Sequence, residues 1–514
     1  MKKLMTLALA AGLAISCASE ASAIDFQAKG QWLMGFSLGQ GNLLRNVQGN
    51  RVDHSDKFSA GQRVRFQLDA VASEALSGTV MFEIGDQFWG RADQGAALGA
   101  DGKVVEVKRA YIDWMPPETD LKVRMGIQGM ALPNAAGGSA ILDDDVAGIS
   151  ASYQFNENVG LVFNWARPLN DNYQRKDELL PAGSSRDSFL DNVDVFVLGL
   201  PLTFDGIEAT PWVAYGIVGK NAFRNGLDNV NQGNFGSWLT SNYFAGSWNH
   251  GADPNFYRRD LSYGSAFWAG LPVKLTLWDP FNIEFDFNYG YVQSVGHGKI
   301  ERNGAAAKTY STRREGWLAK ALVEYKMDWG TPGIFGWYAS GDDGNPKDGS
   351  ERLPSISPCG NFTSFMGDGN WGWSTDYGLY DRNMGYAGTW GIGLQVRDMS
   401  FLEDLTHTFR VALWGGTNSP KMAKYASSPV AWDSDWGKAD SAPYENELYL
   451  TKMDYLLEFN LVNSYQMYEN FEVNFELGYI VNMFDHDVWK KAATRQAYTK
   501  QDAWKAQLIF AYTF

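Results

Sequence analysis

The sequence predicts an all-β fold, a transmembrane up-and-down antiparallel barrel of about eighteen strands, or sixteen at the lower count. Three observations predict it. Apolar and polar residues alternate with period two along most of the chain, tight turns alternate with long irregular connections, and no later segment reaches the roughly 18 consecutive apolar residues of a spanning helix. The best apolar run, Val193 to Phe204, is broken by Asp194, Gly199 and Pro201. A chain that crosses a bilayer without helices must close its strands into a barrel, because lipid offers no partner to a free sheet edge.

In chain order, the first element is a secretory signal peptide over residues 1–23, which leaves 24–514 as one barrel domain. Lys2-Lys3 forms the basic end, Leu4 to Ile15 the apolar run, and Ala21-Ser22-Ala23 the small-residue cleavage site before Ile24-Asp25. A lipoprotein reading would acylate Cys17, but Ala14 stands where that motif has a leucine-like residue.

Strands are expected near 25–37, 58–72, 76–89, 104–115, 120–128, 146–155, 158–167, 193–202 and 207–219 in the first half. The second half adds 261–278, 281–293, 315–327, 332–341, 386–397, 406–415, 446–464, 471–482 and 502–514. The last is the clearest, with Trp504, Ala506, Leu508, Phe510, Tyr512 and Phe514 on one parity and Lys505, Gln507, Ile509, Ala511 and Thr513 on the other. Phe471, Val473, Phe475 and Leu477 alternate in the same way with Glu472, Asn474 and Glu476. Trp32, Trp114, Trp165, Trp212 and Trp504 fall near strand ends, as interfacial girdles require.

Connections such as Asn156-Glu157-Asn158, Asp205-Gly206 and Asp279-Pro280 are tight, whereas Lys220 to Asp260, Asp342 to Gly385 and Gly416 to Glu445 are long. A secreted lectin or glycosidase would also be aromatic, acidic and Gly-rich, yet its oily faces would need a second sheet to cover them. Here nearly every strand carries charge on the other face, which matches a wide barrel with a wet lumen.

Composition narrows the chemistry. Lys+Arg 44 against Asp+Glu 59 gives −15, and removing Lys2, Lys3 and Glu20 makes the mature chain −16. Such a surface does not displace counterions from phosphates, so no nucleic-acid partner is expected. The 20 Trp, 24 Tyr and 30 Phe coexist with a mean hydropathy of only −0.30, because the rings alternate with polar residues. Two cysteines, Cys17 and Cys359, and five scattered histidines lack zinc-ligand spacing, so neither a metal nor a cofactor is expected.

The segments Lys108-Arg109-Ala110-Tyr111-Ile112-Asp113-Trp114, Gly126-Ile127-Gln128-Gly129, Ser340-Gly341-Asp342-Asp343 and the closing Ala511-Tyr512-Thr513-Phe514 carry a family resemblance. Over the whole mature chain the sequence resembles the outer-membrane homotrimeric porins of sulfate-reducing bacteria. The resemblance implies a bacterial outer-membrane location and a homotrimer of barrels embedded in lipid. It further implies passive passage of small hydrophilic solutes and ions, and a terminal Phe514 that the barrel assembly machinery recognises. A substrate-selective channel for a sugar or an anion is the alternative.

Within such a barrel, parity turns Arg63 and Arg65 inward from the second strand, Arg109 from the fourth, and Lys122 and Arg124 from the fifth. The next connection, Gly129 to Asp145, ends in Asp143-Asp144-Asp145 and follows the fifth strand, where trimeric porins fold a constriction loop inward. Acidic loop against basic wall would set a transverse field at the narrowest point. The three Asp residues could equally cap a strand in solvent. Glu284, Asp286, Asp454, Glu458, Glu472 and Glu476 form the expected acidic wall, with a modest cation preference as its consequence.

Asp342 to Gly349 carries oxygen ligands without EF-hand spacing, which favours turn chemistry over Ca²⁺. Trp238, Tyr243, Phe244 and Trp248 in one loop could stack a sugar or pack the loop on itself. No enzyme is expected, since His407 shares the outward parity of Phe409, Val411 and Leu413 and meets no lumen nucleophile. A folded plug ahead of the barrel has no room, because strand one starts almost at the cleavage site.

Overall fold

The computed structural model describes residues 24–40, 43–46, 57–92, 95–99, 105–170, 192–219, 257–258, 263–294, 296–302, 305–311, 313–345, 347–360, 362–363, 371–373, 386–424, 449–489 and 498–514. The signal segment 1–23 and the rings Trp238, Tyr243, Phe244 and Trp248 lie outside these residues.

The described wall is a closed antiparallel barrel of 18 strands, counting each interrupted strand once. They are β1 (Asp25–Gln40), β2 (Lys57–Ser73), β3 (Leu76–Phe88), β4 (Glu106–Trp114), β5 (Lys122–Ala131), β6 (Asp143–Gln154) and β7 (Gly160–Asn170). β8 runs Asn192–Gly199 and resumes at Leu202–Phe204, and β9 runs Ile207–Ala209 and Trp212–Gly219. Then come β10 (Tyr263–Leu275), β11 (Phe281–Val292), β12 (Arg314–Tyr325), β13 (Thr331–Ala339), β14 (Thr389–Leu402) and β15 (Leu405–Gly416). The series ends with β16 (Tyr455–Tyr468), β17 (Phe471–Met483) and β18 (Ala503–Thr513).

The interruptions in β8 and β9 fall at Pro201 and Pro211, which have no N–H for the ladder. Neighbouring strands compensate: Gly160 donates to the Pro201 carbonyl and Leu200 to that of Pro211, both at 2.9 Å. β1 pairs with both β2 and β18, and this double pairing abolishes the sheet edge.

Tight connections join β2 to β3, β4 to β5, β6 to β7, β8 to β9, β10 to β11, β12 to β13, β14 to β15 and β16 to β17. All lie at one end of the barrel. In the two-residue turn after β8, Gly206 has φ 66°, and a Cβ there would come 2.9 Å from the Leu277 backbone nitrogen, so glycine is required.

Outward rings pair towards both ends of the barrel, Phe36 with Trp89 at the long-loop end and others at the short-turn end. Phe281 meets Tyr325 edge-on at 4.9 Å, Tyr153 meets Phe155 at 5.2 Å, and Tyr512 stacks on Phe514 at 5.8 Å. Trp32 and Trp114 are exposed on the outer face, in keeping with a girdle. Trp212 departs from that expectation. It is buried on the inner face, sharing the parity of Ala214 and Val218, because a loop inside the barrel covers it.

Strand bounds shift most in two places. The strand expected at 446–464 spans Tyr455–Tyr468, and the one expected at 386–397 extends to Leu402 through register irregularities after Val396.

The core lies inside the barrel. Inward Val195, Trp268, Phe335 and Trp414 are buried in one cluster with Leu142, Leu353 and Phe362, which belong to connections rather than to the wall. The inner faces of β8 to β10 are therefore apolar, in contrast to the charged inner faces expected of nearly every strand.

Candidate functional site

The connection between β5 and β6 folds into the barrel. Its residues Leu132, Ala136, Ala140, Ile141 and Leu142 are buried. Its tip crosses to β11 and β12, where Asp286 accepts the backbone N–H groups of Ala135 and Ala136 at 3.0 and 2.6 Å through one carboxylate oxygen. Lys320 donates to the carbonyls of Ala136 and Gly138, each at 2.5 Å, and its ammonium lies 3.6 Å from Asp286. Trp212 donates its indole N–H to the Pro133 carbonyl. Asp286 and Lys320 are 1% exposed each, so the loop tip seals this ion pair from water.

A second connection, between β13 and β14, also enters the bore. It forms a short parallel contact with the first loop at Leu142 and Ser357. Ile356 and Ser357 donate to the Ile141 carbonyl at 2.8 and 2.9 Å, and Cys359 donates its backbone N–H to Ser139 at 3.0 Å. Tyr386 donates its hydroxyl to the Gly137 carbonyl, and the Phe362 ring stacks on Phe335 at 4.8 Å. Complete burial, with Asp286 beside it, pushes the Tyr386 phenol well above its ordinary range and keeps it a donor. Gly138 has φ 80°, and a Cβ there would sit 2.5 Å from the Cys359 carbonyl oxygen, so the loops touch backbone to backbone.

Further along this connection, Trp373 reaches the wall formed by β18, β1, β2 and β3. Its indole N–H donates to Asp86 at 2.8 Å, Arg63 lies over its ring at 5.6 Å, and it packs with Leu33, Ile509 and Ala511. Trp371 donates to Glu472 at 3.1 Å. Sequence reading missed this strap. Trp371 and Trp373 sit in a Gly-rich stretch with no periodicity to mark them, whereas Lys320, alone on an inner row with Leu318 and Leu322, did carry a signal.

Much of the candidate basic wall is paired with carboxylates, from neighbouring strands for Arg65 and Arg124 and from across β5 for Lys108 and Arg109. Arg65 binds Glu83 at 2.6 Å, and Arg124 binds Asp113 through two nitrogens at 2.7 and 2.9 Å while lying 4.1 Å over the Tyr111 ring. Arg109 and Lys108 grip Asp145 at 2.6 and 2.7 Å. Lys122 is exposed at the start of β5.

Asp143, Asp144 and Asp145 open strand β6, paired with Ala131, Met130 and Gly129, so they belong to the wall and the loop proper is 132–142. Asp144 accepts the Ser357 hydroxyl at 2.8 Å, and successive parity turns Asp145 to the other face. Gly129, opposite Asp145, has no side chain, and the Arg109 guanidinium fills that space.

Of the candidate acidic wall, Asp286 holds the loop and Glu472 holds Trp371. Glu476 is buried against Lys505 at 3.1 Å, Glu458 accepts from Asn460 at 2.9 Å, and Glu284 from Asn282 at 3.0 Å. Asp454 precedes β16 and caps a turn, accepting from Thr451, Asp485 and the Trp489 indole.

Asp343, Asp348 and Glu351 bring carboxylate oxygens within 4.8 Å of one another near the start of the second connection. Burial, and then Asp342, Asp343 and Asp348 around it, raise Glu351 to about 7 despite the hydrogen bond from Asp343.

No family model matches the chain, and no curated protein matches it. Among solved structures, the chain is similar to Pseudomonas aeruginosa OpdQ, with 10% identity, a TM-score of 0.48, and 95% of this chain and 98% of that chain covered. It is similar to Pseudomonas aeruginosa OpdL at 12% identity and a TM-score of 0.46, covering 95% and 99%. A BenF-like porin from Pseudomonas fluorescens matches at 11% identity and a TM-score of 0.45, covering 95% and 98%.

Proposed function

We propose that the chain is a bacterial outer-membrane porin, a water-filled channel for passive diffusion of small hydrophilic solutes and ions. The observation that carries this reading is the closed wall with an apolar outer face and two connections folded into its bore. An apolar outer face around a barrel is what hydrocarbon requires, and inward loops convert a wide bore into a sieve. The resemblance to trimeric porins of sulfate-reducing bacteria adds self-association into a homotrimer, and Phe514 adds recognition by the barrel assembly machinery. Reconstitution in a planar bilayer tests the reading. Stepwise conductance linear in salt, without saturation by sugars, is expected; saturation would favour the substrate-selective alternative, and no conductance by correctly folded barrel would overturn both.

A further inference from the structure

Among the described residues, three ion pairs of the inner wall differ sharply in their access to water. Lys320–Asp286 on β12 and β11 has side chains 0% and 1% exposed. Lys505–Glu476 on β18 and β17 is equally sealed, at 1% and 0%. Arg65–Glu83 on β2 and β3 is open, at 29% and 19%. All six residues share the parity that points into the bore. The difference therefore reflects what covers them, and not which way they face.

Around most of the bore the cover is visible. The first loop lies on β11 and β12, the apolar cluster of both connections fills the inner side of β8 to β10 and β13, and Trp373 sits on Leu33 and Ile509 and, at the long-loop end of β2 and β3, on Arg63 and Asp86. Along β2 to β5, Arg63, Thr79, Gln128 and Met130 are buried, but a continuous run of inward residues stays half-exposed, from Arg65, Gln67 and Glu83 to Arg124 and Asp113, whose side chains are 40% and 39% exposed. Charged side chains that stay exposed on an inner wall require water beside them.

We propose that the conducting path occupies only this side of the bore, a passage along the inner faces of β2 to β5. Arg65 and Glu83 line its middle, and Arg124 on Tyr111 with Asp113 lines its short-turn mouth. This rests on the porin reading. A path lined by cation–carboxylate pairs presents both signs at each level, so it suits small solutes that carry both hydrogen-bond donors and acceptors.

Cysteine accessibility tests it in the full-length protein with Cys359→Ser as background. Gln67→Cys lies on the path side, between Arg65 and Asp69, and Ala266→Cys lies under the covered side, where the residue is 0% exposed. A charged methanethiosulfonate reagent is added to intact barrels, and labelling is read both by mass and by current. The expected result is labelling of Gln67→Cys with a loss of about half the conductance or more, and neither effect for Ala266→Cys. Arg65→Cys provides a second path position should Gln67→Cys fail to assemble. Equal labelling of both sides, or labelling of Ala266→Cys alone, would overturn the proposed path. Labelling confined to the path side in a barrel without current would instead overturn the porin reading, because the mass readout needs no conductance.

Discussion

Two residues decide how firmly the loops sit in the bore. Lys320 and Asp286 are both buried, and between them they bind two N–H groups and two carbonyls of the first loop. Removing one partner of such a pair strands the other charge in a dry site, at a cost of about 3–5 kcal/mol. Lys320→Met should therefore expose the segment 133–139 to limited proteolysis in a barrel that remains closed. Lys320→Met combined with Asp286→Asn should be cut more slowly than Lys320→Met alone, and faster cutting would show that the charge pair is not the latch. Glu351 behaves in the opposite sense to a salt-bridged carboxylate. Its pKa in the folded chain is raised to about 7 from an ordinary 4.5, so the folded state holds a proton there that the unfolded state has released. Its stabilising contribution is then full below the ordinary value and is lost as pH rises towards 7. Thermal unfolding of the wild type should fall in midpoint over that window, and Glu351→Gln should flatten the fall. An unchanged slope in Glu351→Gln would assign the pH dependence to other groups.

At the scale of the element, strands were legible because their outer rows face one solvent along their whole length. The outward rows of β17 and β18 are apolar from end to end, and period two located both strands within a residue or two. The inner rows were harder to read, since the sequence does not say which stretch of wall faces water and which faces a loop. Trp212 illustrates the ambiguity. A Trp near a strand end suits an interfacial girdle as well as a cover for a folded connection, and only the Pro133 carbonyl opposite its N–H distinguishes the two. The Asp143 to Asp145 run was legible as charge but not as strand, because three carboxylates in succession resemble a loop end more than the opening of β6. The terminal element gives its own prediction. Phe514 exchanges backbone hydrogen bonds with Gly30 across the β1–β18 seam, and a Cβ at position 30 would come 2.6 Å from the Phe514 ring. Gly30→Val should therefore lower the yield of heat-modifiable barrel, as deletion of Phe514 should, whereas deleting a residue between Asp343 and Gly349 should leave the yield close to wild type. Equal yields from all three would remove the seam from the account of assembly.

For the whole molecule, the overall balance of fixed charge matters more than any single pair, because the wall cations are largely matched by carboxylates. Neutralising Asp143, Asp144 and Asp145 to Asn then acts in two ways. It removes three negative charges, and it frees Lys108 and Arg109 from the carboxylate that holds them. Both effects make the barrel less attractive to cations, so reversal potentials in a salt gradient should move towards anion preference. Conductance should change less, since an amide fills nearly the volume of a carboxylate. Salt sets the size of the shift: the Debye length is about 10 Å at 0.1 M and about 3 Å at 1 M, so the shift should be large in dilute salt and small in concentrated salt. The same substitution also weakens the Asp144 contact with Ser357, which ties the second connection to the wall. Asp144→Asn alone separates the two contributions, because an amide oxygen still accepts the Ser357 hydroxyl while one charge is lost. If the triple variant shifts reversal potential by no more than Asp144→Asn does, the field of Asp143 and Asp145 does not reach the permeating ion, and the charge that sets selectivity lies deeper, beside Arg65 and Glu83.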